Sequence, residues 1–327
     1  MVSRGPQDAG AEGGKDGSSI EPLGGTLYLA PDGFDAELRA ELGRGASPVA
    51  PDSRLFFAPG ARRPSAWAAD VWLDPVRIRF GSIADAAKAL RSLGRNWSLS
   101  PTSHHRRAAL ISEQLPLADT RPLVFPTPAS STPRGSFTLL SANEILASSR
   151  CTSPFPNGEA RFVEDHVRPP SRAYLKLWEA FTLVGHHPRP GARCVDLGSS
   201  PGGWTWVLER LGARVISVDK APIAHALMKL TRVRYVKDSA FAIDPASVGR
   251  VDWMLSDVIC YPSRSASLIQ RWLTVHPHAS FVVTIKLQGE TDTSAVRALD
   301  HVPGARLVHL HHNRHELTWI RVAPEPA

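Results

Sequence analysis

The C-terminal half of the chain alternates short apolar segments with amphipathic ones, and this alternation limits the possible folds more than any other feature. Each apolar segment has the length of a buried strand, and the segments between them have helical spacing. We predict strands at residues 193–198, 214–219, 233–238, 251–257, 280–287, 306–311 and 316–322. We predict helices at 172–183, 203–211, 223–230, 263–275 and near 293–299.

Only a short turn separates the last two predicted strands, so we expect them to pair antiparallel. The other strands are joined through helices, which is typical of parallel strands covered on both faces. The pattern therefore predicts an α/β fold with a doubly wound, mostly parallel sheet of seven strands.

The preceding part of the chain contains two shorter strand–helix units. A strand at 26–30 leads to a helix at 34–42, and a strand at 76–80 leads to a helix that Ser82 can cap and Gly94 can end. Together with an apolar stretch at 136–149, they predict a smaller α+β domain. The proline-rich segment 116–135 is expected to be a loop.

These patterns divide the chain into three parts. The first 24 residues are rich in glycine, serine and charge and have no apolar run, which predicts a disordered tail rather than a signal peptide. We place the α+β domain at 25–165 and the α/β domain at 166–327.

The formal net charge is +7, the pI is about 9.7, and arginine far outnumbers lysine. An anionic partner, most commonly nucleic acid, explains this composition, and so does a genome rich in arginine codons. The three cysteines form no CxxC pair, which argues against a disulfide framework or a zinc site and favours a reducing cytoplasm. No apolar run approaches the length that spans a membrane.

The strand–helix turn "GSSPGG" at residues 198–203 indicates a nucleotide-type ligand. A pyrophosphate-binding turn requires a middle glycine that this sequence lacks, and a phosphate-binding P-loop requires a lysine that is also missing. Asp219 ends the second predicted strand, where it can accept hydrogen bonds from ribose hydroxyls. Asp238 ends the third, where it can accept from an adenine amine. A ribose and an adenine without a phosphate cradle favour S-adenosylmethionine, although both aspartates could simply cap turns.

Four further residues suggest which chemical group of the substrate receives the methyl group. Lys286 lies in an otherwise apolar strand, where an unpaired charge is unfavourable. Asp257 ends a neighbouring strand, Glu316 begins the last strand, and Lys176 lies on the helix before the first strand. Taken alone, Lys176 and Glu316 are as easily explained as solvated side chains. A ribose hydroxyl is a weak acid, so a methyltransferase acting on it needs charged groups of this kind.

Residues 170–322 resemble the FtsJ/RrmJ-like RNA 2′-O-methyltransferases, which carry an ordered Lys-Asp-Lys-Glu tetrad. The segments "PSRAYLKLWEAF", "DLGSSPGGWTWVL", "VISVDKAPI", "VKDSAF", "MLSDV" and "IKL" resemble more narrowly the RlmM branch, whose members methylate a cytidine ribose in large-subunit ribosomal RNA. The resemblance implies a class I methyltransferase fold and, in the N-terminal part, a THUMP-type (ferredoxin-like) RNA-binding module. This chain is shorter than the branch in that part.

The resemblance also implies residue roles. The tetrad would be Lys176, Asp257, Lys286 and Glu316, with Lys286 as the proton acceptor. The cofactor would be contacted by Ser171, Ser200, Pro201, Gly202, Gly203, Asp219, Asp238 and Asp257. Gly198 opens the turn and Trp204 lies beside it, so both are expected to border the cofactor. From its chemistry alone, Lys286 could instead stay cationic and stabilise a developing alkoxide.

Other functions are less consistent with the sequence. Base methyltransferases often carry an Asn-Pro-Pro-Tyr-like motif after the fourth strand, and "SDVICYP" contains none. A non-catalytic RNA-binding protein that retained the fold, or a methyltransferase for another RNA, remains an alternative. His311 and His315 have helical spacing but lie in a predicted strand and turn, so we expect no metal site.

Overall fold

The computed structural model describes residues 17–100, 104–287 and 293–324. Its N-terminal part contains three helices, which are α1 Asp35–Leu42, α2 Ile83–Leu93 and α3 His105–Ser112. Ten short strands accompany them: β1 Ser19–Pro22, β2 Gly25–Leu29, β3 Ser47–Pro48, β4 Leu55–Pro59, β5 Asp70–Leu73, β6 Val76–Arg79, β7 Trp97–Leu99, β8 Gly135–Ser141, β9 Glu144–Ser148 and β10 Arg150–Cys151.

These strands form two five-stranded sheets, with the orders β1-β6-β9-β8-β7 and β10-β5-β2-β4-β3. The prediction of a tail through residue 24 is wrong at its end, because Ser19–Pro22 pairs antiparallel with β6. Residues 1–16 lie outside the described part of the chain. The predicted α2 cap is confirmed: the Asp85 amide donates to Ser82 Oγ, the Asp85 carboxylate accepts from the Ser82 amide, and the helix ends at Gly94.

The described residues of the C-terminal part form five α-helices and seven strands. The helices are α4 Tyr174–Val184, α5 Gly203–Arg210, α6 His225–Met228, α7 Pro262–Val275 and α8 Ser294–Arg297. The strands are β11 Arg193–Leu197, β12 Arg214–Asp219, β13 Val233–Lys237, β14 Trp253–Ser256, β15 Ser280–Lys286, β16 Ala305–Val308 and β17 Glu316–Arg321.

The seven strands form one sheet in the order β13-β12-β11-β14-β15-β17-β16. The first five are parallel, whereas β17 runs antiparallel to both β15 and β16. This arrangement confirms the predicted α/β class with a closing antiparallel pair. Helix α6 begins two residues later than predicted, because the Ala224 amide donates to Pro201 O of the 198–203 turn, and it ends two residues earlier.

Apolar side chains cover both faces of this sheet. On the face of α7 and α8, Tyr28, Leu38 and Trp67 of the N-terminal part share one buried cluster with Phe281 and Trp319 of the sheet. On the other face, α4 and α5 pack in a second cluster. The N-terminal part therefore packs directly on the sheet, near the ends of β15 and β17.

Three tryptophans of the N-terminal part are core residues. Trp67, Trp72 and Trp97 are at most 2% exposed. No helix within the described ranges is long and apolar enough to cross a membrane.

Candidate active site

Four charged side chains meet at the carboxyl end of the parallel strands. Lys176 Nζ lies 3.1 Å from Asp257 Oδ1 and 2.6 Å from Glu316 Oε1. Lys286 Nζ lies 2.9 Å from Asp257 Oδ1 and 2.5 Å from Glu316 Oε2. The pairing of β15 with β17 places Lys286 directly opposite Glu316. The four groups therefore form a closed ring of alternating charge.

Burial within this ring is uneven. The side chains of Lys176 and Glu316 are 7% and 8% exposed, so neither is the solvated residue that its position alone would suggest. Those of Lys286 and Asp257 keep 21% and 20% of their surface. A substrate can therefore reach Lys286 and Asp257, while Lys176 and Glu316 support them from beneath.

The pKa values of the ring favour the charged forms. Burial alone would raise the pKa of Asp257 and of Glu316, but the two lysines outweigh it and hold both values below their usual range. Burial would also lower the pKa of Lys286, yet Asp257 and Glu316 outweigh it and raise that pKa above normal. Both carboxylates and the Lys286 ammonium are therefore charged at neutral pH.

The glycine turn lies beside this ring. Gly198 has φ of +74°, and a Cβ there would lie 2.8 Å from Cβ of Val258, the residue after Asp257. Gly202 has φ of +113° and is followed by α5. Glycine permits the positive φ at both positions and lets the turn pack closely against Val258 and Leu227.

The surroundings of Ser171 indicate whether the glycine turn suits a polar ligand. Its Oγ is buried and has no hydrogen-bond partner among the described residues. A Cβ on Gly203 would lie only 2.5 Å from that oxygen. A buried hydroxyl without a partner is unfavourable, so this atom fits a site that a ligand group completes. Trp204, 3% exposed, is fixed nearby because its Nε1 donates to Ala173 O.

The two aspartates predicted to bind the nucleoside have different surroundings. Asp219 accepts hydrogen bonds from the amides of Ser200, at 3.0 Å, and Ala221, at 2.9 Å, so it holds the glycine turn in place. Its remaining lone pairs are available to hydroxyl groups. Asp238 follows β13, is exposed, and accepts only from the next amide among the described contacts. The structure thus brings Asp219, but not Asp238, into contact with the turn.

A buried polar chain beneath the turn was not predicted from the sequence. Asp196 accepts from Thr205 Oγ1 at 2.6 Å, and Thr205 connects through Ser217 to Ser199 of the turn. Burial raises the pKa of Asp196 to about 7. An aspartate at the end of an apolar strand was visible in the sequence, but its partners lie on α5 and β12, which only the fold brings together.

Glu179 is a second residue that sequence reasoning missed. It lies on α4, one turn after Lys176, and is 3% exposed. Its carboxylate accepts from the amides of His311 and His312, at 2.6 and 3.0 Å, and contacts His312 Nδ1 at 2.7 Å. Asn313 in the same turn donates to Glu316 O. Glu179 therefore positions the turn that leads into Glu316, and the histidines serve this contact.

The substitution Glu179→Gln should lower the rate of a reaction at the ring by about tenfold while leaving the KM for the substrate nearly unchanged, because small displacements of reacting groups reduce rate more than binding. Steady-state kinetics of the purified variants measure both constants. Glu41→Gln is the matched control, since Glu41 is another largely buried glutamate, paired with Arg297 and outside the ring. An equal loss in both variants would argue for general destabilisation instead.

No group of three or more potential metal ligands occurs among the residues that the structure describes. His315 Nε2 lies 3.8 Å from Glu37 Oε1, and its ring stacks on Phe34 and Trp67. The amide of His311 donates to Glu179. The three cysteines are free thiols.

This arrangement of sheet, turn and charged ring agrees with the comparison with known families. Residues 169–310 match the FtsJ-like methyltransferase family model, in agreement with the resemblance seen in the sequence.

Among individual proteins, the chain is similar to several named ribosomal RNA large subunit methyltransferase M. That of Halorhodospira halophila is 38% identical over 157 residues, which is 46% of this chain and 46% of its own length. That of Alkalilimnicola ehrlichii is 35% identical over 55% of this chain and 52% of its own. That of Xanthomonas campestris pv. campestris is 28% identical over 74% of this chain and 72% of its own length. The chain thus aligns with about half the length of the first two relatives.

Proposed function

We propose that this protein is an S-adenosylmethionine-dependent RNA 2′-O-ribose methyltransferase that acts on large-subunit ribosomal RNA. The observation that carries the proposal is the ring of Lys176, Asp257, Lys286 and Glu316 next to a glycine turn without phosphate-binding features. The names of the similar proteins support ribosomal RNA as the substrate class. Such a substrate also implies a cytoplasmic location, and residues 25–165 are proposed as an RNA-binding module.

The residues of the turn suit the proposed cofactor. We propose that Asp219 binds the ribose of the cofactor and that Asp238 binds its adenine. The rest of the cofactor would lie beside Ser171, Gly198, residues 200–203, Trp204 and Asp257. Ser171 Oγ has no hydrogen-bond partner among the described residues, so it can bond to a polar group of the cofactor. When bound, S-adenosylmethionine supplies an electrophilic methyl group. The protein has to hold a ribose hydroxyl in line with it and control the charge on the attacking oxygen.

Lys286 and Asp257 are the ring members that a hydroxyl group can reach. The ammonium of Lys286 can donate to the 2′-oxygen as negative charge develops there, which is electrostatic stabilisation. The ionised Asp257 can accept a hydrogen bond from the hydroxyl group, take up its proton as the oxygen is methylated, and then release that proton to solvent. Lys176 and Glu316 keep the two reactive groups in place, since each is hydrogen-bonded or paired within the ring. We therefore propose that Lys286 acts as a cation rather than as the proton acceptor that the resemblance implies.

The turnover number should then be nearly level from about pH 8 to pH 9, above the pKa of about 7 that burial gives Asp196 beneath the turn. The pKa of Lys286 is raised and the pKa values of Asp257 and Glu316 are lowered, so none of these groups changes charge in that range. Single-turnover methyl transfer at saturating cofactor and RNA measures the profile. A rate that climbs about tenfold per pH unit would show that Lys286 must first lose its proton.

Mapping of 2′-O-methyl groups in ribosomal RNA, from cells with and without this protein, tests the proposed function. We expect one ribose in the large-subunit RNA to lose its methyl group in the deletion strain and to regain it on complementation. Complementation by a Lys286→Ala variant should fail. An identical methylation map in both strains would refute the proposed substrate.

A further inference from the structure

The amino edge of the seven-stranded sheet, opposite to the candidate active site, carries a basic cleft. It encloses about 510 Å³, and five of its lining residues are arginines, namely Arg193, Arg214, Arg232, Arg234 and Arg250. The remaining lining residues are small or apolar. None of them is a carboxylate or an aromatic residue.

Strand order explains why arginines that are distant in sequence converge here. Arg193 and Arg214 are the first residues of β11 and β12 and lie directly opposite each other in the parallel register. Arg234 lies on the next strand, β13, opposite Ile216. Arg250 precedes β14 on the other side of β11. With neighbouring strands about 4.8 Å apart, the arginines extend over roughly 14 Å of the sheet edge.

The positive charge of this cleft is only partly compensated. Glu209 pairs with Arg232 at 2.6 Å, and Asp252 pairs with Arg250 at 3.0 Å. Within the described ranges, no carboxylate forms an ion pair with Arg193, Arg214 or Arg234, and all three are exposed. Like charges held together at one edge repel each other. An anion bound in the cleft would lower this electrostatic energy.

We infer that this cleft, formed by Arg193, Arg214, Arg232, Arg234 and Arg250, binds the phosphate backbone of the RNA substrate at a point remote from the methylated ribose. Guanidinium groups match phosphate oxygens in a bidentate manner. A row of arginines along an edge suits successive phosphates of one strand better than a single small anion. The absence of aromatic side chains from the lining makes this a positioning contact without base recognition. The inference rests on the proposed function, because that function supplies RNA as the partner.

A triple variant, R193Q/R214Q/R234Q, tests the inference against a control, R210Q/R264Q/R271Q, which removes the same charge from exposed positions outside both the cleft and residues 25–165. The affinity of each protein for an unmodified transcript of bacterial large-subunit ribosomal RNA is measured across salt concentrations. The cleft variant should bind on the order of tenfold more weakly at low salt. Its slope of log affinity against log salt should decrease by about 2, since each lost single-strand phosphate contact removes about 0.7.

Two further measurements make the result specific. Methyl transfer to a short RNA fragment that contains only the methylated site should stay within about twofold of wild type, because such a fragment does not reach the cleft. An R193K/R214K/R234K variant should restore the salt slope, which shows that the glutamine variant lost charge rather than its fold.

The inference is overturned if both triple variants lose affinity equally, because net charge would then explain the loss. It is also overturned if inorganic phosphate or ATP stabilises the wild type against unfolding but not the cleft variant, while RNA affinity is the same in both. If the wild type methylates RNA and the cleft variant binds RNA with the same affinity and salt dependence, this inference fails while the proposed function stands. A wild type that neither binds nor methylates ribosomal RNA refutes the proposed function and the inference with it.

Discussion

Replacing Lys286 with alanine should reduce methyl transfer by on the order of 10³-fold while cofactor affinity stays within a few-fold of wild type. The ammonium is one of two ring groups that a substrate can reach, and it is the only accessible cation of the ring. Its loss also leaves Asp257 and Glu316 with Lys176 as their remaining partner. The expected effect therefore falls on the chemical step rather than on the nucleoside pocket.

Single-turnover methyl transfer and calorimetric cofactor binding measure the two quantities separately. Lys229→Ala is a suitable control, because Lys229 is an exposed lysine that follows α6 and lies outside both the ring and residues 25–165. A circular dichroism spectrum and a melting curve establish that the Lys286 variant is folded. Turnover near the wild-type rate in a folded variant would remove Lys286 from the mechanism.

Replacing Gly198 with alanine should weaken cofactor binding by about 10- to 100-fold. The residue has φ of +74°, and its new Cβ would lie 2.8 Å from Cβ and 3.0 Å from Cα of Val258. Backbone cannot move aside as a flexible side chain can, so the turn or the segment after Asp257 must shift. Overpacking of this kind typically costs about 1–3 kcal/mol, which corresponds to the expected loss of affinity if the turn is displaced.

Gly191 provides the matched control for backbone strain. It has φ of +84°, and a Cβ there would meet nothing within 4 Å. Gly191→Ala should therefore lower the free energy of unfolding by about 1–2 kcal/mol without changing cofactor affinity. Equal cofactor affinity in the Gly198 and Gly191 variants would mean that the turn does not contact the cofactor.

The C-terminal sheet was predictable because its signals are local. Apolar segments of strand length, helical spacing between them and a short final turn are all properties of neighbouring residues. The same holds for the α2 cap, where Ser82 and Asp85 interact across one helical turn. The N-terminal part was predicted less well. Its strands β4, β5 and β7 are three to five residues long, too short for a clear alternation, and they are stabilised by pairing with distant segments.

The candidate site divides in the same way. Lys286 stood out in the sequence because a lysine in an apolar strand needs a partner. Lys176 and Glu316 did not, since a helical lysine and a strand glutamate are usually solvated. Only the fold shows that both are buried and bonded, because α4 covers the face of the sheet on which β15 and β17 present their charged ends.

By itself, the sequence determined the α/β class, the antiparallel final pair, the glycine turn and the resemblance to a methyltransferase family, because these depend on residue type and local spacing. The tertiary structure decided which charges compensate each other. Glu179 was assigned to the turn before Glu316, Asp196 to a buried polar chain, and Arg193, Arg214 and Arg234 to one cleft without carboxylate partners in the described residues. Electrostatic pairing depends on distance in space, and strand order sets that distance.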